Sequence, residues 1–363
     1  MKTSLAILAA TSLTLFIPSG INPQAATSPT NAAFQWLSFP DNSKFKVLGL
    51  HWFDENKPQF WRMPVKDMDS LPKGVQGRAK CPSGGRIVMK CTTTKLALQA
   101  VAVNGGGLRK FDAYVNGQPC KPVVAEKTGS ETELVLFKDL DNQEKEIVIY
   151  LPHLQDVLVK AIGVDQETRF SAPDHRYARP LPVVFYGSSV CQGSGAVSPA
   201  QTYEAILCRE LNLDFINLGF GGAGKAESNV VALVNSIPAC CYAFDLGKSY
   251  GAQDATAFKA MLRTIRQSHP DVPIIVMTPI TSVKEVKEPS YSERSIHTRT
   301  VMRDPANELI KAGDTKVILV EGEDLIGFKE HAALSKDGVH PSDEGYGIIA
   351  EKLSPIFKRA LGL

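Results

Sequence analysis

The sequence has a single long apolar run. After LAILAATSLTLFI near the amino terminus, no segment approaches eighteen consecutive apolar residues, which excludes a protein with many membrane spans. It also lacks an excess of either charge: 40 Lys and Arg stand against 38 Asp and Glu, a formal net charge of +2. Such a balance gives no basis for a nucleic-acid partner or a strongly charged one. There is no HExxH and no paired CxxC, so a metal role has no support. Cysteine is scarce and odd in number. Seven thiols in an exported chain leave at least one unpaired, unless it pairs between molecules. Cys81 and Cys91 flank Gly84-Gly85 and could close a hairpin, whereas Cys240 and Cys241, in ACCYAF, read as buried apolar residues.

The one apolar run follows Lys2, is too short to span a bilayer and gives way to Pro18-Ser19-Gly20. That is the layout of a secretory signal peptide over residues 1–26, cleaved between Gly20 and Ala26, with an uncleaved anchor as the alternative. The mature protein is expected to be secreted or periplasmic and free of the membrane. Its length allows two domains.

Residues 33–170 read as short strands and polar turns. Arg86 to Cys91, Lys95 to Val103, Phe111 to Val115, Glu133 to Phe137, Glu146 to Leu151 and Asp156 to Val164 are rich in Val, Ile, Leu and Phe. Repeated strands with such turns predict a β-sandwich of jelly-roll type. Trp52, Phe60 and Trp61 read as its core; exposed, they would offer platforms for sugar rings. SAPDHRYARPLP, in 171–182, is charged and proline-bearing and reads as a linker. From 183 to 363, strand-like runs alternate with helical patterns, which predicts an α/β/α sandwich around a parallel sheet. The polar stretch from Ile280 to Thr300 reads as a long loop bordering the cleft. Its Tyr291, Arg294 and His297 are candidates for contact with sugar hydroxyls.

Two stretches of this second domain carry chemistry. In PVVFYGSSVCQGSG an apolar strand ends at Gly187 and Ser188-Ser189 follow at once, where open α/β sheets place their reacting groups. In SKDGVHPSDEGY, Asp337 and His340 stand three apart beside a turn. A competing motif lies between them. Gly219, Gly221 and Gly224 spell G-x-G-x-x-G, with Asp245 further on, as in a dinucleotide fingerprint. That motif sits on the second strand of the domain rather than the first, in a chain that reads as exported, so no cofactor is expected.

Taken in order, Gly187-x-Ser189, Asn217-x-Gly219-x-x-Gly222 and Asp337-x-x-His340 resemble the SGNH (GDSL) hydrolase family over roughly Pro182 to Leu363. GSSVCQGSG, INLGFGGAGK and DGVHPSDEGY look most like the branch with an N-terminal β-rich domain. That branch is similar to secreted esterases, many of which remove acetyl groups from polysaccharides. The resemblance implies Ser189 as nucleophile, His340 as base and Asp337 as the acid that orients the imidazole. It also implies an oxyanion hole made by the backbone N–H groups of Ser189 and Gly222. Two family positions are altered. Ser188 replaces the aspartate of the first block. In the third block, normally G-x-N-D, the match is Gly247-Lys248-Ser249-Tyr250, which puts Ser249 where an oxyanion-binding asparagine belongs and Lys248 beside it. Cys191 is a second candidate nucleophile and Ser188 a third, while His175, His297 and His331 read as surface residues. The sequence thus predicts a secreted serine esterase acting on acylated carbohydrate. The alternative is a carbohydrate-binding protein that kept the scaffold and lost turnover.

Overall fold

Alternating apolar residues fold the amino-terminal half into two antiparallel sheets. Their strands are β1 (Gln35–Ser38), β2 (Lys46–Leu48), β3 (Arg86–Cys91), β4 (Leu96–Ala102), β5 (Asp112–Val115), β6 (Gln118–Pro119), β7 (Glu131–Phe137), β8 (Lys145–Tyr150), β9 (Val157–Val164) and β10 (Phe170–Ser171). One sheet runs β1-β9-β4-β7; the other runs β10-β3-β8-β5-β6, with β2 on β3. Ile87 and Met89 of β3, Leu96 and Leu98 of β4, Ile147 and Ile149 of β8, and Val159 and Ile162 of β9 meet in one core between the sheets. In β9 the register slips so that Gln99 faces Ala161 while Ala100 faces Val159. The bulge leaves Lys160 exposed and lets both Val159 and Ile162 point inward. The computed structural model describes residues 34–40, 42–120 and 131–363, and Phe34–Leu363 cluster as one unit. The expected signal segment lies outside the described residues.

The carboxyl-terminal half is a parallel sheet with strands β11 (Val183–Gly187), β12 (Phe215–Gly219), β13 (Cys241–Asp245), β14 (Ile274–Met277) and β15 (Val317–Val320). Their order is β12-β11-β13-β14-β15. Each of the three central strands is buried along its whole length, which is why they read as unbroken apolar runs. Helices Ser228–Asn235, Thr256–Ser268 and Pro289–Lys311 cover one face, and Tyr203–Glu210 and Asp343–Leu361 cover the other. In β11, Val184 and Tyr186 join the first layer while Val183 and Phe185 join the second. The chain therefore forms the expected α/β/α sandwich behind a β-rich region. Strand order reverses after β11, so the crevice of the switch point opens at its carboxyl end, where Ser189 begins.

Three expectations need correction or refinement. The stretch from Ile280 to Thr300 is not a loop: it holds helix Val283–Lys287 and most of helix Pro289–Lys311. Pro289 opens the second helix, where a missing N–H costs nothing. The buried face of that helix includes Ser295, Thr298 and Arg299, so no apolar period marks it. The N-terminal region is also not all strand. Helix Lys73–Ala79 and the chain leading to it place Met63, Met68, Leu71, Val75 and Ala79 against Val184, Tyr186 and Leu218. Trp52 and Phe60 are core residues as expected. All seven cysteines are free thiols, so Cys81 and Cys91 close no hairpin. Among the described residues no helix is long and apolar enough to cross a membrane.

Arg62 ties the amino-terminal segment to the end of β12. Its side chain is 1% exposed. It donates to the carbonyls of Cys81 at 2.6 Å, Arg78 at 2.7 Å, Asn217 at 3.0 Å and Gly219 at 2.7 Å, with its guanidinium 4.7 Å from the Phe220 ring. Burial lowers its pKa to about 10, which leaves it charged at neutral pH. Replacing it by Leu would leave four carbonyls without this donor. A single buried polar group stripped of its partner costs about 1–3 kcal/mol. Arg62→Leu is expected to cost about 3 kcal/mol or more, read as a lower urea midpoint at unchanged m-value.

Candidate active site

The site is built where β11 turns into a short helix, Ser189–Gln192. Ser188 caps that helix: its Oγ accepts from the Val190 N–H at 3.2 Å, and its own N–H donates to the Asp245 carbonyl at 2.6 Å. Ser188 is buried, whereas Ser189 is half-exposed. The capping role leaves Ser189, not Ser188, presented at the carboxyl end of the sheet.

His340 reaches Ser189 from the other end of the chain. Its Nε2 lies 2.8 Å from Ser189 Oγ, and its Nδ1 lies 2.6 Å from Asp337 Oδ2. A carboxylate only accepts, so Nδ1 carries the proton and the Nε2 lone pair faces the serine hydroxyl. Asp337 is fixed in turn. Its Oδ1 accepts from the Ser335 hydroxyl at 2.9 Å and from the backbone N–H groups of Val339 at 2.8 Å and His340 at 3.0 Å. Partial burial works to raise the Asp337 pKa, but the hydrogen bonds from His340, Val339 and Ser335 outweigh it. They hold the carboxyl well below the usual range, so Asp337 is ionised throughout the neutral range. The three residues form one hydrogen-bonded line, able to draw a proton from Ser189.

Gly222 and Ser249 come together beside that line. The Gly222 N–H donates to Ser249 Oγ at 3.1 Å, so the serine accepts one proton and has its own to give. A Cβ on Gly221 would stand 3.3 Å from Ser189 Cβ, which puts the loop bearing Gly222 against the Ser189 side. The neighbouring Gly221 N–H is taken by Gln192 Oε1 at 2.8 Å. Arg78 Nε holds the Gly221 carbonyl at 3.1 Å, and Arg62 holds that of Gly219. Gly219 and Gly224, two glycines of the nucleotide-like motif, are accounted for by close packing. A Cβ would come 2.2 Å from Gln192 N at Gly219 and 2.3 Å from the Gly187 carbonyl oxygen at Gly224.

Lys248 is less free than its position suggests. Its Nζ lies 2.6 Å from Glu285 Oε1, and Glu285 also holds Arg299 NH2 at 2.9 Å. Burial lowers the Lys248 pKa to about 8 against the opposing pull of Glu285. Its ammonium sits 5.3 Å from the Tyr291 ring, where Arg294 also stacks at 4.8 Å. The charge is therefore largely answered within the protein.

A cavity of about 30 Å³ opens beside Ser189, bounded also by Val190, Asp245, Lys248, Ile280 and His340. A second of about 10 Å³ lies next to it, and Val190, Asp245 and Ile280 line both. Asp245 and Ile280 went unnoticed as site residues in the sequence. Asp245 stood out only as the acid of the nucleotide-like motif, and Ile280 only as the start of a loop. Burial pushes the Asp245 carboxyl up to about 8, so this wall of the cavity is neutral at pH 7.

The remaining candidates fall away from this line. Cys191 is fully buried, and burial raises its thiol pKa well above the ordinary value. His297 contacts the Gln253 carbonyl at 2.9 Å, His331 contacts Thr281 at 3.0 Å and His175 contacts Asn212 at 2.7 Å. Among the described residues no cluster of His, Cys, Asp or Glu is arranged to hold a metal ion.

Residues 181–358 match the model of the GDSL-like Lipase/Acylhydrolase family. No curated protein matches the chain. Among solved structures, a putative GDSL-like lipase from Bacteroides ovatus is similar at 22% identity and a TM-score of 0.78, covering 91% of this chain and 98% of that one. A salicylyl-acyltransferase from a tetracycline biosynthetic pathway is similar at 22% identity and a TM-score of 0.77, with the same coverage. An acetyl xylan esterase from the rumen bacterium Butyrivibrio proteoclasticus is similar at 15% identity and a TM-score of 0.57, covering 90% of this chain and 99% of that one. The likenesses extend through the β-rich half, and the family match covers the half that holds Ser189 and His340. Residues 181–358 are a domain of the GDSL-like lipase/acylhydrolase family, carried behind an amino-terminal β-rich region.

Proposed function

We propose that this protein is a secreted serine esterase that removes short acyl groups, O-acetyl above all, from carbohydrate. In this reading residues 1–26 are its signal peptide, 33–170 a sandwich domain, 171–182 a linker and 183–363 the hydrolase domain. The observation that carries the chemistry is the line from Ser189 through His340 to Asp337. Ser189 Oγ attacks the ester carbonyl carbon as His340 Nε2 takes its proton. The carbonyl oxygen becomes an oxyanion, which takes hydrogen bonds from the Ser189 N–H and from the Gly222–Ser249 pair. The intermediate collapses to an acyl-serine as His340 passes the proton to the departing sugar alkoxide. Water, activated by the same imidazole, then releases the acid and restores Ser189.

The small cavity beside Ser189 supports a short acyl chain, since its volume suits a methyl group and little more. The acetyl xylan esterase among the structural neighbours supports carbohydrate as the alcohol side. Ser249 in the third block, with Lys248 held by Glu285, is what favours the binding-protein reading. The loss of one oxyanion donor costs subtilisin about 2.7–4 kcal/mol, so a weak third donor slows such an enzyme without changing its chemistry.

Three measurements test this reading. With p-nitrophenyl acetate the parent should turn over, and Ser189→Ala and His340→Ala should each lower kcat by about three orders of magnitude or more. Equal traces from all three proteins would leave the binding-protein reading. Ile280→Ala should join the two cavities and raise kcat/KM for the butyrate ester relative to acetate by about tenfold, the scale set by methylenes in an apolar pocket. The third is the pH profile. Asp245 is neutral below its pKa of about 8, and above it a negative charge enters the wall of the cavity that takes the acyl chain beside Ser189. Activity should therefore fall above about pH 8, and Asp245→Asn should lift that alkaline limb.

A further inference from the structure

The turn that presents Ser189 is held by residues outside the line of Ser189, His340 and Asp337. Helix Ser189–Gln192 is a single turn and ends at Gly193, whose φ of +97° lies in the left-handed region. So short a helix has few bonds of its own, and side chains from elsewhere meet its carbonyls. Asn217 Nδ2 donates to the Cys191 carbonyl at 2.6 Å. The Tyr346 hydroxyl lies 3.0 Å from the carbonyl oxygen of Val190 and 2.8 Å from that of Ser194. The Gly193 carbonyl accepts from the Ala196 N–H at 3.1 Å and meets His153 Nε2 at 3.0 Å.

His153 belongs to the β-rich half, in the segment between β8 and β9, and is 5% exposed. Its backbone is anchored: the Ser83 hydroxyl donates to the His153 carbonyl at 2.6 Å, and the Leu151 N–H donates to the Gly85 carbonyl at 2.9 Å. The imidazole packs closely on Gly193. A Cβ there would come 2.8 Å from His153 Cδ2 and 2.5 Å from Thr202 Cγ2. Burial lowers the His153 pKa to about 4 against the pull of the Gly193 carbonyl, and Arg109 and Arg62 add to the lowering. The ring is therefore neutral at pH 7. A carbonyl only accepts, so Nε2 carries the ring's proton and donates it.

The other end of the same loop touches the segment that bears His340. A Cβ on Gly195 would stand 3.1 Å from His340 Cβ and 2.2 Å from the Pro341 carbonyl oxygen. Two residues on, the Val197 N–H donates to Asp343 Oδ1 at 2.8 Å. Residues 193–197 thus bridge the turn of Ser189 and the segment of His340, whose side chains meet at 2.8 Å. Proton transfer across such a contact is sensitive to displacements of a fraction of an ångström.

We propose that His153 is a positioning residue: from the β-rich half it holds the loop at Gly193, and so sets the approach of Ser189 to His340. The chemical consequence rests on the esterase reading, whereas the hold on the loop does not.

The test compares the parent with His153→Leu, which fills the site without a donor, and His153→Gln, whose amide reaches about as far as Nε2. Melting curves check that each is folded. The first readout is amide hydrogen exchange in the peptide from Ser188 to Val197, which needs no turnover. His153→Leu should exchange about tenfold faster there and at the parent's rate elsewhere. The second is reaction at Ser189. Its labelling by a fluorophosphonate and kcat for p-nitrophenyl acetate should fall by about tenfold or more, with KM within about twofold. His153→Gln should restore both readouts most of the way. His153→Asn, too short to reach the carbonyl, replaces His153→Leu should that variant not fold, and should behave like it. Unchanged exchange in the folded Leu or Asn variant would overturn the proposal. So would parental labelling despite faster exchange, or a Gln variant no better than the Leu one. A parent that takes no label would refute the esterase reading alone, and exchange would still decide whether His153 holds the loop.

Discussion

A buried guanidinium holds the two halves of this chain in register. Arg62 comes from the amino-terminal segment, yet two of its four carbonyl partners, Asn217 and Gly219, belong to β12. The end of β12 leads directly into the loop with Gly221 and Gly222. That loop must lie against Ser189 without filling the space in front of it. Glycine permits the approach and arginine sets the direction, since the fork of five N–H donors fixes several carbonyls at once. Arg78 extends the same brace to Gly221. The β-rich half is thus part of how the surroundings of Ser189 are shaped.

Within the site, three carboxyl-bearing residues differ because their surroundings differ. Asp337 is half-exposed and accepts several hydrogen bonds, so it stays ionised and can balance an imidazolium. Asp245 is buried with a weak contact from Tyr203 at 3.4 Å, so it stays protonated near neutrality. Glu285 is buried as well, and it meets Lys248 at 2.6 Å and Arg299 at 2.9 Å. One carboxylate is placed against the histidine, one carboxyl is kept neutral in the cavity wall and one side chain holds Lys248 still.

The strands of both halves were legible in the sequence, because burial between layers writes itself as runs of Val, Ile and Phe. So was the pairing of Ser189 with Asp337 and His340, through three short blocks in the right order. The first part of helix Pro289–Lys311, up to Thr300, was not, since its buried face carries Ser295, Thr298 and Arg299, and its opening proline resembles a loop. Nor was the Arg62 brace: an arginine buried against carbonyls looks, in sequence, like any surface arginine. Ile280 and Asp245 became visible only once the fold set their walls against Ser189. Long-range placement of single side chains is what a one-dimensional pattern leaves out.

The most direct measurement is the intact mass and peptide map of the protein after exposure to a fluorophosphonate. The account predicts one equivalent of adduct, on the peptide containing Ser189, with labelling slowed sharply in His340→Ala. Such reagents require a serine whose proton can be drawn away, so the label reports the activated hydroxyl without assuming any natural substrate. An unlabelled parent, or a label on any other residue, would contradict the central claim that Ser189 is an activated nucleophile.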